Sequence, residues 1–211
     1  MRVAVVDYGM GNLHSVSKAV ERVAPKAHVE VTSDPARVSG ADRVVFPGQG
    51  AMPDCMREME SRGLRPAVVD AARTRPFLGI CIGLQMLFER SDEGSVEGLG
   101  LLPGSVRRFP ESSAMVDSAG HRLKVPHMGW NRVKQAGHPL WSGIEDGSRF
   151  YFVHSYFPEA GAAGLVQGTT EYGLPFTCAV ARDNIFAVQF HPEKSDTAGL
   201  RLLANFLNWN P

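Results

Sequence analysis

The chain has 211 residues, which suits one globular domain, and its 22 Lys and Arg residues balance its 22 Asp and Glu residues. A net charge of zero gives no long-range field to attract nucleic acid or an anionic membrane surface, so neither is an expected partner. The three cysteines are too far apart for a disulfide framework or a Cys-x-x-Cys metal site, and no apolar run approaches the ~20 residues that span a bilayer. We therefore expect a cytoplasmic protein.

The first half of the sequence alternates short β-branched runs with longer amphipathic segments. This pattern predicts strands at residues 2–6, 27–32, 43–46 and 76–80, and helices at residues 13–23, 64–73 and 83–89. Such an order is typical of βα units wound around a parallel sheet that is buried on both faces. We predict an α/β fold with a mostly parallel central sheet and flanking helices.

The second half of the sequence begins with a shift toward Gly, Pro and Ser between residues 98 and 147. Strands are predicted at residues 105–109, 132–134, 150–153, 176–181 and 185–190, and a closing amphipathic helix at residues 195–209. Short strands joined by turn residues favour an antiparallel, loop-rich half. Because no repeat or linker divides the chain, we predict a single domain over residues 1–211.

Cys81 lies between two glycines, in Gly79-Ile80-Cys81-Ile82-Gly83, where a predicted strand passes into a predicted helix. The arrangement is typical of a nucleophile elbow, because glycines allow a sharp turn that presents the side chain at the carboxyl edge of the sheet. The dipole of the following helix favours a thiolate, and the Ile82 N–H is positioned to donate to an oxyanion. The alternative for a cysteine in so short a pattern is a small buried side chain.

A second motif, Phe190-His191-Pro192-Glu193, comes at the end of the predicted strand at residues 185–190. A thiolate nucleophile needs a proton carrier, and His191 is the candidate if its strand neighbours the elbow strand. Glu193 can accept from the other ring nitrogen and fix the tautomer of the imidazole. A lone histidine is more often structural, so this interpretation depends on Cys81.

The third motif, Pro47-Gly48-Gln49-Gly50, also follows a predicted strand. Its glycines let backbone N–H groups turn toward an anion, so Gly48, Gln49 and Gly50 are candidates to complete an oxyanion hole with Ile82. An ordinary turn is the alternative. Ligands collect at strand ends in open α/β sheets, so the joint occurrence of the three motifs favours one catalytic site.

In these motifs the sequence resembles the class I, or triad-type, glutamine amidotransferases, over nearly the whole chain. The resemblance implies the fold of that family and attack by the Cys81 thiolate on the side-chain carboxamide of glutamine, with His191 carrying the proton and Glu193 orienting it. It implies no cofactor and no metal. Four further positions match family residues that hold the substrate: Gln85, Glu93, Ser155 and Tyr156.

Residues 7–13, 126–131 and 151–156 resemble the members of this family that supply ammonia for histidine biosynthesis. That likeness implies a heterodimer with a cyclase subunit built as a (β/α)8 barrel, which would receive ammonia before water protonates it. The residues that these segments would contribute to the interface are Asn12, Met128, Trp130 and Asn131, although Trp130 could equally be a core residue.

Gln49 departs from the aliphatic residue that the family often has at this position. Because Gly48 and Gly50 flank it, the 48–49 peptide has two accessible orientations. We hypothesise that binding of the partner or its nucleotide selects the orientation that donates to the oxyanion.

Three alternatives remain from the sequence. The chain could serve another synthase, such as anthranilate or aminodeoxychorismate synthase, although residues 126–131 argue against this. It could be a free-standing thiol hydrolase of γ-glutamyl or peptide bonds. It could also be a non-catalytic scaffold, which the joint presence of Cys81, His191 and Glu193 disfavours. Cys55 and Cys178 have no elbow around them and are predicted to be buried thiols.

Overall fold

The computed structural model describes residues 1–111, 115–117 and 120–211. Its strands, in chain order, are β1 (Arg2–Val6), β2 (His28–Thr32), β3 (Arg43–Gly48), β4 (Phe77–Cys81), β5 (Phe88–Ser91), β6 (Val96–Glu97), β7 (Leu102–Arg108), β8 (His127–Arg132), β9 (Lys134–Gln135), β10 (Arg149–His154), β11 (Tyr156–Ala160), β12 (Val166–Glu171), β13 (Pro175–Arg182) and β14 (Ile185–Val188). Its helices are α1 (Leu13–Val23), α2 (Pro35–Ser39), α3 (Met52–Ser61), α4 (Arg65–Thr74), α5 (Ile82–Gln85) and α6 (Asp196–Asn208).

The central sheet has the strand order β2-β1-β3-β4-β14-β13-β12-β9. The first five of these strands are parallel, and the last three continue the sheet in antiparallel pairing. The predicted α/β fold with a mostly parallel sheet is therefore confirmed. Because β3, β4 and β14 are neighbours and run in the same direction, their carboxyl ends meet at one edge of the sheet.

The central strands are apolar because helices cover both faces of the parallel part of the sheet. All residues of β3 and β4 are buried, as are four of the five residues of β1. On α1, Val16 and Val20 face this core, and α1 also packs against α6. Each fully buried aliphatic side chain of this kind contributes about 1.5–3 kcal/mol of transfer free energy. Among the described residues, no helix is long and apolar enough to cross a bilayer.

The second half of the chain adds two smaller sheets, β10-β8 and β11-β7-β5-β6. Their pairings are antiparallel, as predicted for this half, except that β5 and β7 run parallel. These sheets lie beside the carboxyl edge of the central sheet, because His191 N donates to the Tyr151 carbonyl in β10 at 2.9 Å. The loop-rich half thus forms one wall of the space above that edge.

The helix predicted at residues 83–89 is wrong in its length. The helix α5 ends at Gln85, and residues 88–91 form β5 instead. The Met86 carbonyl accepts from Leu99 N at 2.7 Å, and the Leu87 carbonyl accepts from Leu101 N at 2.9 Å. Backbone pairing with a later segment therefore replaces the hydrogen bonds that would have continued the helix, and tertiary context overrides local propensity.

Candidate active site

Cys81 sits at the point where β4 turns into α5, with φ 57° and ψ −111°. Positive φ is costly for a residue with a Cβ, and such strain is typical of the nucleophile at a strand-to-helix elbow. The flanking glycines provide space. A Cβ on Gly83 would overlap the Phe46 carbonyl, and one on Gly79 would lie 3.0 Å from the Ala187 Cβ. The backbone strain is therefore at Cys81 itself, and the glycines allow its neighbours to approach.

The helix that follows Cys81 has only four residues, which weakens one part of the predicted activation. A single turn aligns few peptide dipoles, so little of a full helix macrodipole acts on the sulfur. The free N–H groups of its first turn, beginning at Ile82, remain available as donors. Stabilisation of a thiolate then depends more on the neighbouring imidazole than on the helix.

His191 follows the end of β14, and its Nδ1 lies 2.8 Å from Glu193 Oε1. Both side chains are buried, at 4% and 1% exposure. Burial alone would lower the pKa of His191, but the neighbouring Cys81 and Glu193 raise it to about 10. Within the described part of the chain, the buried Nε2 has no hydrogen-bond partner, so the interaction with Cys81 is electrostatic without a well-formed hydrogen bond. Such contacts often tighten only when substrate binds.

His154 is the other histidine at this site, and its hydrogen bonds exclude it as a proton carrier. Its Nδ1 lies 2.7 Å from the Tyr156 carbonyl, and its Nε2 lies 3.1 Å from His127 Nδ1. Since a carbonyl only accepts, His154 carries its proton on Nδ1, and His127 must donate from its own Nδ1. Burial chiefly, with His127 adding to it, lowers the pKa of His154 to about 3. Both ring nitrogens are occupied, in contrast to the free Nε2 of His191.

The buried pair of His127 and His154 makes the fold sensitive to acid. Burial lowers the pKa of His127 to about 4, so both histidines are neutral in the folded chain at pH 7. Between these values and the ordinary value of 6.5 the unfolded chain binds more protons, so the free energy of unfolding falls as pH falls through this range. The slope is at most ~1.4 kcal/mol per pH unit for each histidine.

We expect the variant His154→Phe to lose less stability than the parent chain when pH is lowered from 6.5 to 4. The variant retains an aromatic ring but removes one of the two groups whose protonation favours unfolding. Urea unfolding at a series of pH values measures the slope in each protein. Equal slopes would show that the pair does not carry this pH dependence.

A cavity of about 260 Å³ opens at the carboxyl edge of the sheet. It brings together most of the site residues predicted from sequence: Gln49, Gly50, Cys81, Ile82, Gln85, Glu93, Ser155, Tyr156 and His191. Gly48 lies just behind it, paired with Cys81 between β3 and β4, and Glu193 lies behind His191. Pro126, Val153 and His154 also line the cavity and were not predicted to do so. Its size suits a small molecule such as an amino acid.

Gln85 and Glu93 are held by specific contacts within this cavity. Gln85 Nε2 donates to the Tyr156 carbonyl at 3.1 Å and to Gln189 Oε1 at 3.0 Å, which leaves the buried Gln85 Oε1 without a partner among the described residues. Glu93 Oε2 accepts from Met52 N at 2.8 Å. An unpartnered buried acceptor in a cavity is a group that a ligand N–H can satisfy.

Gln189 was missed by sequence reasoning. It is fully buried, and its Nε2 lies 3.8 Å from Cys81 Sγ. Its place on the strand end two residues before His191 is the one signal that could have singled it out, since alternate side chains of a strand point to the same face. Gln189 therefore connects Gln85 to the sulfur.

The four predicted interface residues lie outside the cavity. Met128 and Trp130 are 62% and 51% exposed on β8, so Trp130 is not a core residue. Asn131 Nδ2 donates to the Glu171 carbonyl at 2.8 Å, and Asn12 caps α1 by accepting from Ser15 N at 3.4 Å. Two large apolar side chains on one exposed strand are a typical feature of a protein interface.

Cys55 and Cys178 are both fully buried, as predicted. Within residues 1–111, 115–117 and 120–211, no cluster of three His, Cys, Asp or Glu side chains is arranged to hold a metal ion. The chemistry that the geometry supports is thus nucleophilic attack by a thiolate with an acid-supported imidazole as proton carrier.

Comparison with known sequences gives matches to one kind of protein, both at the level of the family and among individual relatives. A model of the family glutamine amidotransferase class-I matches residues 4–209. The chain is 66% identical to the imidazole glycerol phosphate synthase subunit HisH of Dechloromonas aromatica over 209 residues, covering 99% of this chain and 97% of that protein. It is 60% identical to the protein of the same name from Nitrosomonas europaea over 210 residues, covering 99% of each.

Solved structures agree at the level of the fold. A putative GMP synthase protein from Thermoplasma acidophilum superposes with a TM-score of 0.71 at 18% identity, covering 99% of this chain and 92% of that one. A further glutamine amidotransferase crystal structure also gives a TM-score of 0.71 at 18% identity, covering 98% and 97% of the two chains.

Proposed function

Since this chain belongs to the class-I glutamine amidotransferase family, we propose that it hydrolyses L-glutamine through Cys81 as the glutaminase subunit of a cytoplasmic imidazole glycerol phosphate synthase. One observation carries the catalytic part of the proposal: the strained Cys81 and the buried His191–Glu193 pair share one small cavity edge. The names of relatives at 60–66% identity favour histidine biosynthesis over the other synthases considered.

In the first half of the reaction, the Cys81 thiolate attacks the side-chain carboxamide carbon of glutamine. The carbonyl oxygen becomes an oxyanion, for which the Ile82 N–H and the N–H groups of the Gly48–Gly50 turn are the candidate donors. The His191 imidazolium gives its Nε2 proton to the departing nitrogen, the C–N bond breaks, and ammonia leaves. A γ-glutamyl thioester remains on Cys81, and His191 is neutral.

In the second half, the neutral Nε2 of His191 takes a proton from water as the water oxygen attacks the thioester carbon. The C–S bond breaks, glutamate leaves, and the thiolate and imidazolium are restored. Glu193 keeps Nδ1 of the ring protonated throughout, so that Nε2 is always the nitrogen that exchanges the proton. The high pKa of His191, which Cys81 and Glu193 raise to about 10, favours the ion pair from which each cycle begins.

Gln85, Glu93, Ser155 and Tyr156 are proposed to hold the amino acid part of the substrate. Each lines the cavity beside Cys81. Gln85 Oε1 is free to accept an N–H of the ligand, and the Glu93 carboxylate supplies negative charge for an α-ammonium group. An amino acid bound in this way would present its side-chain amide to the sulfur.

The partner is proposed to be the cyclase subunit, a (β/α)8 barrel, bound over Asn12, Met128, Trp130 and Asn131. The exposed apolar pair on β8 supports this placement. Ammonia released near such an interface reaches the second active site without equilibrating with water, which would convert it to the non-nucleophilic ammonium ion.

We expect weak glutaminase turnover from the isolated chain and faster turnover when the barrel subunit is added together with its nucleotide substrate. Coexpression pull-down followed by a glutaminase assay with and without the nucleotide measures both binding and coupling. The variant Trp130→Ala should weaken, by about tenfold or more, the capture of the barrel subunit, because large aromatic side chains at interfaces often act as hot spots.

The matched control is Val31→Ala, which truncates another exposed apolar side chain on the distant edge strand β2. It should bind the barrel subunit like the parent chain. Equal glutaminase turnover with and without the barrel subunit would contradict the coupling. Capture unaffected by Trp130→Ala would contradict the proposed surface.

A further inference from the structure

Two buried side chains that the mechanism does not use hold the backbone of the Gly48–Gly50 turn. The Tyr8 hydroxyl donates to the Pro47 carbonyl at 2.8 Å, and the Cys55 thiol donates to the Gln49 carbonyl at 3.5 Å. Both residues are fully buried, one directly after β1 and the other on α3. The turn is thus fixed from the core side by elements that lie far apart in the sequence.

Each of these hydrogen bonds fixes the orientation of a whole peptide group. A trans peptide is planar, with its C=O and N–H pointing in opposite directions. Because the Gln49 carbonyl points at Cys55 in the core, the Gly50 N–H on the same peptide points away from the core. Gln49 and Gly50 are exposed on that other side, where they line the cavity beside Cys81. The thiol therefore directs a backbone donor toward the side on which substrate binds.

Tyr8 fixes the other end of the turn, where it contacts the elbow. A Cβ on Gly48 would collide with the Tyr8 hydroxyl and would lie 2.8 Å from the Ile82 Cβ. Tyr8 and Ile82 therefore press on Gly48 from two sides, and Gly48 in turn pairs with Cys81. The 48–49 peptide, which lies between the two held carbonyls, is the one peptide of the turn that neither side chain holds.

Both side chains keep their protons at neutral pH, so both remain donors. Burial chiefly raises the pKa of Tyr8 well above its ordinary value, and burial raises the pKa of the Cys55 thiol to about 11. Tyr8 is the stronger donor, since a thiol hydrogen bond is weak. We expect the loss of the Tyr8 hydroxyl to have the larger effect.

We propose that Tyr8 and Cys55 are positioning residues for the oxyanion hole, which they serve by holding the carbonyls on either side of the 48–49 peptide. The inference rests on the proposed glutaminase function. It assigns both residues a role in stabilising the tetrahedral intermediate, and none in forming or reacting the thiolate of Cys81.

The test compares two reactions of Cys81 in the complex with the barrel subunit. Glutamine hydrolysis passes through an oxyanion, whereas alkylation by iodoacetamide is a displacement at a methylene carbon and needs no oxyanion hole. In Tyr8→Phe we expect kcat for glutamine to fall about tenfold, less than the loss from deleting an oxyanion donor outright, with KM little changed. The alkylation rate of Cys81, followed by peptide mass spectrometry, should stay within about twofold of the parent rate, because loss of transition-state stabilisation leaves the thiolate unaltered.

Variants at Cys55 separate the hydrogen bond from packing. Cys55→Ala should lower kcat by a few-fold, and Cys55→Ser, which keeps a donor of similar size, should restore most of it. The matched controls are Tyr172→Phe, which removes a phenol-to-carbonyl hydrogen bond of 2.8 Å to Lys124 away from the turn, and Cys178→Ala, which removes another buried thiol. Both controls should hydrolyse glutamine at the parent rate.

An unchanged kcat in Tyr8→Phe would overturn the inference while leaving the glutaminase function intact. A parallel fall in hydrolysis and alkylation would also overturn it, because that result locates the damage at the thiolate. If Cys55→Ser is as slow as Cys55→Ala, the contribution of Cys55 is packing alone, and its part of the inference is refuted. A parent complex that does not hydrolyse glutamine at all would refute the proposed function itself.

Discussion

Replacing Cys81 by Ala is expected to abolish glutamine hydrolysis, with a loss of at least about 10⁴-fold in kcat, because removing the nucleophile of a catalytic triad removes the covalent route altogether. The structure offers no second thiol for the task. Cys55 and Cys178 are buried without an elbow, and burial raises the pKa of both. A steady-state ammonia-release assay on the complex with the barrel subunit measures the loss.

The same variant should still support synthesis when ammonium salts replace glutamine. The sulfur is needed to release ammonia, and the cyclase site that consumes ammonia would lie in the other subunit. Cys178→Ala is the matched control, since it removes a thiol from β13 and should leave both activities intact. If Cys81→Ala lost the ammonium-dependent activity as well, the division of labour between two sites would be refuted.

The elements of the first half were predictable because each carries a local signal. The helix at residues 13–23 and the strand at residues 2–6 have the same bounds in the structure. Their periodicities, buried on one face in α1 and nearly throughout in β1, follow from their packing in the sheet. The nucleophile elbow was likewise visible, because Gly83 has no room for a Cβ and its identity therefore records a close contact with the Phe46 carbonyl.

The features that sequence reasoning missed depend on pairing between distant segments. The strand β5 forms where a helix was predicted, because residues 99–102 bind the carbonyls of Met86 and Leu87. The state of His154 depends on the register of β8 and β10, which sets His154 opposite His127. No local pattern records such a register, so the sequence alone could not distinguish His154 from a proton carrier.

Similarly, the Gly48–Gly50 turn shows its potential for anion binding in its glycines, but the orientation of its peptides depends on side chains elsewhere. Tyr8 and Cys55 determine where two of its carbonyls point, and neither residue belongs to the motif. The motif therefore predicts where an oxyanion hole can form, and the surrounding core determines how its donors are aimed.

Replacing Glu193 by Gln is expected to lower kcat by about 10²–10⁴-fold, by analogy with the loss of the acid in other triads. The carboxylate both orients His191 and stabilises its protonated form. Without that charge, one of the contributions that raise the pKa of His191 to about 10 is removed, so the pKa should fall. Titration of the His191 ring by NMR measures the shift directly.

The change in pKa also predicts the pH dependence of stability. A raised pKa of His191 in the folded state stabilises the fold fully below the ordinary value of 6.5, and this stabilisation is lost as pH rises through about 10. In Glu193→Gln the loss should be complete at a lower pH. The control Glu159→Gln removes an exposed carboxylate that pairs with Arg107 at 3.1 Å, and it should change neither kcat nor the His191 titration. Full turnover in Glu193→Gln would show that His191 needs no acid to orient it, and the catalytic unit would then reduce to the cysteine and the imidazole.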